Sequence, residues 1–492
     1  MKIYNQEEVI NALIDPLDFI QNEKLDNFLL LESADVITKL GEKSHLCFNM
    51  ALKIECRNNQ VIIEACKEEA LPTLTYLKNK FLSKTISPTI ISIDFAPTFH
   101  ELDLLKKMQA PSAIDVIREV MKILELENVN LADKLMLTGM FAYDFLDHFE
   151  DLPKNQNDLL DCPDYLFYLP LSILTIDHKK LQTTLINFSF TKNNVNNNLL
   201  KNNKINNYKQ NKNNNFKITN HINNSDFINL VNQCKKYIIK GDVYQIVPSR
   251  NFICDIENIF SAYYSLRALN PSPYMFLVQT KEFSLFGSSP ETFIKVSEQG
   301  SKVSIRPIAG TQVRGDNADL DSRLQAALCL NEKELAEHMM LVDLARNDIA
   351  CVCKPKSRKV DRLLGIDKFS HVMHLVSEVS GILRDEFDAL SAYQASMNMG
   401  TLMGAPKVKA ASILRNLEIN KRGFYGGAIG YLNKAKDFDS AIIIRSAFVK
   451  NNKAYIRSGC GVVFDSDAEL EMQETINKAK AVLTAIELGG QL

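Results

Sequence analysis

The sequence predicts an α+β fold, and three observations carry that expectation. Strand-like apolar runs recur in both halves, segments with helical apolar spacing lie between them, and glycine-marked turns are frequent after residue 225. No short-period internal repeat is present.

Taken in order, Phe28-Leu29-Leu30-Leu31 reads as a buried strand. Residues 46–66 alternate around the turn Arg57-Asn58-Asn59-Gln60, the pattern of a hairpin. Residues 113–126 have helical apolar spacing, and two strand runs flank the turn Asp177-His178-Lys179-Lys180. Residues 191–224 differ: 16 of the 34 are Asn, 6 are Lys and none is acidic. Such a segment buries too little apolar surface to offset its chain entropy, so it reads as a flexible insertion or linker. Dominance of Asn and near absence of aromatic residues argue against a nucleic-acid arm. Order is expected to resume at Ser225-Asp226, an N-cap for a helix with the stripe Phe227, Val231, Cys234 and Ile238 ending near Gly241. Lys302-Val303-Ser304-Ile305 reads as a strand, and RPIAGTQVRG (306–315) as the turn after it.

At 492 residues the chain exceeds one usual compact domain. A net charge of −2 gives no electrostatic reason to expect nucleic acid or an anionic membrane as a partner. No apolar stretch approaches bilayer-spanning length, and acidic residues sit where a signal peptide would be apolar, so a cytoplasmic location is expected. Ten scattered cysteines, among them Cys47, Cys56, Cys66 and Cys234 in apolar runs, read as buried reduced thiols. Cys351 and Cys353 are the only close pair, and no matching metal-ligand motif follows them.

Two carboxylate pairs stand out: Glu334 with Glu337, and Glu471 with Glu474. Spacing of i,i+3 places each pair on one face of an apolar helix. Buried carboxylates need a compensating cation, and Mg²⁺ suits them. The same spacing also fits a solvated acidic face. Arg445, alone in the apolar run 441–447, wants a carboxylate from a ligand or from within the protein. Gly459-Cys460-Gly461 would let backbone N–H groups approach a ligand, or would simply turn. His374 lies in an apolar run, where a histidine serves as a core residue as readily as a catalyst. Glu291 and Gln245 are unremarkable singly, and no Walker loop, nucleophile-elbow serine or zinc motif is present.

Taken together and in order, GDVYQIVPSR, NPSPYMF, GSSPE, RPIAGT, ELAEHMMLVDLARND, HVMHLVSEVSG, MGTLMGAPK, YGGAIGY, IIIRSA, SGCGVV and ETINKAKAVL resemble the chorismate-utilising enzymes, most closely their anthranilate-forming branch. The likeness runs from about residue 225 to 486, and LLESAD and GMFAYDFLDHFEDLP extend it into the first half. The resemblance implies Glu337 and Glu474 as Mg²⁺ ligands, supported by Glu334 and Glu471. It implies Gly310, Thr311, Tyr425, Arg445, Gly459, Cys460 and Gly461 as substrate-binding. Glu291 would be the acid that protonates the C4 hydroxyl of chorismate as ammonia adds at C2. His374 and Thr401 would assist the pyruvate elimination that follows.

Two positions separate the branches. Water-adding relatives carry a lysine base where this chain has Gln245, which has no useful basicity. Relatives that make 4-amino-4-deoxychorismate often carry a nucleophilic lysine where this chain has Ala309. Both absences point to direct use of ammonia. No Gly-X-Cys-X-Gly glutaminase elbow is present, so a separate glutamine amidotransferase subunit in a hetero-oligomer is implied. The resemblance also implies a feedback pocket for tryptophan at Glu32, Ser33, Asn270, Pro273, Tyr274 and Met275. Aminodeoxychorismate synthesis and a non-catalytic tryptophan-binding subunit are the alternatives.

The expected architecture is a β-sandwich-like core of large, mainly antiparallel sheets with helices packed outside and the two halves of the chain packed together. Residues 1–190 would contribute the feedback site, 191–224 the insertion, and 225–492 the chorismate-binding catalytic region.

Overall fold

The computed structural model describes residues 1–34, 41–98, 103–192, 216–368 and 372–489. Most of the Asn-rich stretch, 193–215, lies outside the described residues, so its expected flexibility does too. The fold is the antiparallel, helix-flanked β architecture anticipated. Twenty-three of its strands join into one hydrogen-bonded network and Gln245–Ile246 pairs with Gly404–Ala405 apart from it, with Lys2–Ile10 against Glu125–Leu126 the one parallel strand pairing among those described.

Two long strands, Gly41–Arg57 and Tyr165–Asp177, pair along their length and run through both layers of the sandwich. Their register shifts between Met50 and Leu52, and Asn49 beside the shift has φ 59°. A bulge of this kind bends a strand and lets it change sheets. Before the bulge, Gly41–Arg57 pairs with Phe28–Ala34; after it, the partner is Gln60–Ala65. The first sheet continues through Phe28–Ala34, Tyr274–Gln279, Ser284–Ser289, Ser446–Lys450, Lys453–Gly459 and Ser249–Asp255. The second runs from Tyr165–Asp177 through Met136–Phe141, Ala428–Asn433, Phe438–Ile442, Thr292–Ser297, Lys302–Ile305 and Val372–Ile382.

Side-chain alternation explains the apolar run at 28–31. Leu29 points into the core between the sheets with Cys47, Phe276, Val278 and Leu285. Phe28 and Leu30 point the other way, with Leu277 and Phe286, onto the helices Ile259–Leu269 and Ala468–Gly489. A strand buried on both faces reads as a continuous hydrophobic run. The two helices approach closely where a Cβ on Gly489 would lie 2.2 Å from the Ser261 carbonyl oxygen.

Four local expectations are corrected. The helix Asn224–Ile239 is capped by Asn223, whose side chain accepts the Asp226 N–H, and Thr219–Asn220 already pairs with Phe252 and Ile253. RPIAGTQVRG is mostly strand: Ile308–Val313 pairs with Val372–Ile382, and a bulge at Gly310 (φ 80°) absorbs the irregularity. The apolar run around Arg445 is two strands, Phe438–Ile442 and Ser446–Lys450, broken where Arg445 takes φ 51°. All ten cysteines are free thiols, yet Cys66 is exposed at a strand end.

Candidate active site

Two chain segments cross between the sheets side by side. Pro290-Glu291 links Ser284–Ser289 of the first sheet to Thr292–Ser297 of the second. Ile443-Ile444-Arg445 links Phe438–Ile442 of the second back to Ser446–Lys450 of the first. The Ile442 N–H donates to the Glu291 carbonyl (3.0 Å), and the Ser288 N–H to that of Arg445 (3.1 Å). These crossings floor a cavity of about 400 Å³. Gln245, Glu291, Gly310, Thr311, Glu334, Glu337, His374, Thr401, Tyr425, Arg445, Gly459, Gly461, Glu471 and Glu474 line it.

Cys460 is the candidate the cavity leaves out: its side chain is wholly buried and its N–H donates to the Pro248 carbonyl. The flanking glycines make room instead. A Cβ on Gly461 would lie 2.6 Å from Gln245 Nε2, and one on Gly459 would lie 3.2 Å from the Tyr425 hydroxyl. Gln245 Oε1 is buried with no hydrogen-bond partner among the described residues.

Burial pushes the Glu291 carboxyl up to about 8, although the Thr401 hydroxyl, donating to its Oε1 at 3.0 Å, and the cations Lys478 and Arg445 act the other way. A carboxyl so placed keeps its proton at neutral pH. Burial lowers Arg445, yet a guanidinium stays charged in a protein, and among the described residues no carboxylate lies within 4 Å of it. It is placed to receive an anion. Burial also pushes the Tyr425 hydroxyl up to about 12.

His374 comes from the Val372–Ile382 strand, opposite Thr311 across the bulge. Its Nδ1 lies 3.0 Å from the Thr311 hydroxyl and 3.3 Å from the Gly310 carbonyl. Burial lowers it to about 4, so the ring is neutral. The Gly310 carbonyl can only accept, which favours a proton on Nδ1 and a lone pair on Nε2. A Cβ on Gly310 would lie 2.8 Å from Leu375 and 3.3 Å from Glu334.

The four carboxylates come from two helices. Asn331 caps Glu332–Ala350 by accepting the Lys333 and Glu334 N–H groups, which fixes where Glu334 and Glu337 emerge. Ala468–Gly489 supplies Glu471 and Glu474. Burial raises Glu337, with Glu334 and Glu474 adding repulsion; burial and Glu474 push Glu471 up to about 7, against a hydrogen bond from Ser466. Burial acts upward on Glu474 too, but Lys478 at 2.6 Å outweighs it. Glu471 Oε2 is buried without a hydrogen-bond partner among the described residues. Mutually repelling oxygen donors with an unsatisfied buried oxygen fit a hard divalent cation. No three of them converge within 4.8 Å among the described residues.

Sequence reasoning gave no role to Lys478, Lys333 or Arg457, which also line the cavity. Lys478 was legible as the residue one helical turn after Glu474. Arg457 is structural: with Arg422 it neutralises the buried Glu418 beneath the site.

The six candidates for an inhibitor pocket divide. Glu32 pairs with Met275 across the strands, so the two share a face, while Ser33 and Tyr274 point the other way. Cavities of about 410 and 440 Å³ flank this strand pair, and Glu32, Ser33 and Met275 reach both. Pro273 and Tyr274 line the first only. Asn270 lines neither; its side chain donates to Ser288 Oγ at 3.5 Å. Glu32 accepts hydrogen bonds from Ser44 and Tyr263, and Tyr274 donates to Asp439.

Residues 86–484 match the family model described as chorismate binding enzyme. Anthranilate synthase component 1 of Haemophilus influenzae is 41% identical over 94% of this chain and 92% of its own. The crystal structure of anthranilate synthase component I from Streptococcus pneumoniae superposes with a TM-score of 0.67 at 28% identity, covering 90% of this chain and 92% of that one. The menaquinone-specific isochorismate synthase of Escherichia coli shares the fold at 16% identity, with a TM-score of 0.70 over 98% of this chain and 94% of its own. With a family match spanning most of its length and relatives this close, the chain belongs to the chorismate-binding enzymes.

Proposed function

We propose that the chain is the synthase subunit of an anthranilate synthase, converting chorismate and ammonia to anthranilate, pyruvate and water in the first committed step of tryptophan synthesis. The observation that carries this reading is a protonated Glu291 sharing one cavity with Arg445, a cation that no described carboxylate neutralises at close range. An acid and an anion receptor are what a dianionic substrate with a poor hydroxide leaving group requires.

Arg445 holds one substrate carboxylate by two-pronged hydrogen bonding. Glu337 and Glu474, aided by Glu334 and Glu471, would hold Mg²⁺, which when bound offsets the charge of the other carboxylate. Glu291 gives its proton to the C4 hydroxyl, which leaves as water while ammonia bonds to C2 and the ring double bond shifts. Thr401 holds that carboxyl in place. The added nitrogen sheds its extra proton. Breaking the C3–O bond then releases enolpyruvate as the C2 proton is lost, and the ring becomes aromatic. His374, neutral and oriented by Gly310 and Thr311, assists this step.

Gln245 favours ammonia over water as nucleophile. Its amide cannot deprotonate water, while its unpartnered Oε1 can accept a hydrogen bond from ammonia. Ala309 lines the cavity with a methyl group and offers no amine of its own. Ammonia is delivered by a separate glutamine amidotransferase subunit, tryptophan inhibits by feedback, and the complex works in the cytoplasm. No helix among the described residues is long and apolar enough to cross a membrane. Residues 1–190 contribute the feedback site and 225–492 the catalytic region. Purified chain given chorismate, Mg²⁺ and ammonium salt should form fluorescent anthranilate; isochorismate or 4-amino-4-deoxychorismate as the product would refute the assignment.

A further inference from the structure

Away from the acidic cavity, three residues distant in sequence meet in the fold. Cys56 is the last residue but one of the strand Gly41–Arg57, His148 ends the 3₁₀ turn Tyr143–His148, and Asp164 precedes the strand Tyr165–Asp177. The Asp164 N–H donates to the Cys56 carbonyl (2.8 Å) and the Ala142 N–H to that of Asp164 (2.8 Å), so backbone bonds fix their spacing. Phe145 lies against the His148 ring, with centroids 4.7 Å apart. One thiol sulfur, one imidazole nitrogen and one carboxylate oxygen lie within 4.8 Å of one another.

The arrangement is not that of a nucleophilic triad. In a triad the imidazole uses one nitrogen for the nucleophile and the other for the carboxylate. Here the same Nε2 faces both partners, at 3.9 Å from Cys56 Sγ and 3.0 Å from Asp164 Oδ2. Without a cation His148 pairs with Asp164 and the Cys56 thiol donates to the Asn58 carbonyl (3.5 Å), so nothing bonds the sulfur to the ring; a cation at the centre would be held by all three. Tetrahedral coordination with ordinary zinc bond lengths gives ligand–ligand edges of about 3.3–3.6 Å, and the two separations fall within about half an ångström of that range.

We propose that Cys56, His148 and Asp164 form a binding site for a zinc-class divalent cation, distinct from the acidic cavity. Thiolate and imidazole select zinc or cobalt over Mg²⁺. Binding exchanges the thiol proton for the metal, so one proton leaves per ion bound. Asp144 and Glu55 add negative charge nearby, opposed by Lys421. The His148 and Asp164 side chains remain 7% and 12% exposed, which leaves an approach from solvent.

The test titrates the metal-stripped full chain with Co²⁺ in excess Mg²⁺, so that hard oxygen sites are already filled. The expected result is one equivalent bound with a thiolate-to-cobalt charge-transfer band, displaced by Zn²⁺ and absent from both Cys56→Ser and His148→Gln. Glu337→Gln should keep the band. No such band in the unaltered chain, or one that survives both substitutions, would overturn the proposal. If either substitution prevents folding, anomalous diffraction from zinc-soaked crystals of the unaltered chain decides: a peak between the three side chains supports the site, and no peak there refutes it.

Discussion

Glu291 and Arg445 stand on neighbouring crossings between the two sheets, tied together by the Ile442-to-Glu291 and Ser288-to-Arg445 backbone hydrogen bonds. An acid that keeps its proton and a cation with no described carboxylate within 4 Å are thus held side by side by the sandwich itself. The crossing geometry, more than any one loop, sets the spacing of the chemistry.

The first prediction concerns pH. In the proposed mechanism Glu291 acts when protonated, so turnover should hold below its folded value of about 8 and fall as pH rises through it. Thr401 favours the ionised form by donating to it. Thr401→Val should therefore move the alkaline limb of the kcat profile upward while lowering its plateau. A limb that stays in place would separate Thr401 from the titrating acid.

Glu291 should also cost stability. Its folded value lies above the ordinary 4.5, so the folded state binds the extra proton. The cost is absent below about 4.5, where both states are protonated, and grows by about 1.4 kcal/mol per pH unit as pH rises toward 8. Glu291→Gln keeps an acceptor for Thr401 and removes the titration. Denaturant melts at pH 5 and pH 8 should show the variant gaining on the parent as pH rises, with anthranilate formation lost.

For Arg445, substitution should separate binding from folding. Arg445→Gln removes a buried cation without stranding a carboxylate partner, so the melting temperature should hold or rise. Losing a charge-assisted contact of about 2–4 kcal/mol should raise KM for chorismate roughly 30- to 1000-fold. Steady-state kinetics beside a thermal melt checks both halves.

The proposed inhibition by tryptophan is expected to act at one of the two cavities beside Glu32. The cavity of about 410 Å³ gathers Ser33, Pro273, Tyr274 and Met275. Ser33→Ala, Met275→Thr and Tyr431→Ala should relieve inhibition with near-normal uninhibited turnover. Tyr264→Ala, on the cavity of about 440 Å³, should not. The chain has no Trp, so the fluorescence of added tryptophan reports binding directly.

Residues that act through helical or strand periodicity were legible in the sequence. Glu334 with Glu337 and Glu471 with Glu474 follow from i,i+3 spacing, and the 28–31 strand from its apolar run. Features created by tertiary crossings were not. Arg445 looked like mid-strand because its left-handed break leaves no mark in an apolar run of Ile and Ala. RPIAGT looked like a turn because Pro and Gly also mark bulges. Face parity, which parts Glu32 from Ser33, needs the strand register. Cys56 lies 92 residues from His148 and the three meet only through the fold, so spacing gave no hint of them.

The most direct test follows atoms into product. The purified chain is supplied with chorismate and Mg²⁺ together with isotopically heavy ammonium in heavy-oxygen water, and the products are weighed by mass spectrometry. The expected product is anthranilate carrying one heavy nitrogen and no heavy oxygen on the ring, with one pyruvate released per ring. Isochorismate or salicylate carrying heavy oxygen would mean that water is the nucleophile, and would contradict the proposed roles of Gln245, Ala309 and Glu291.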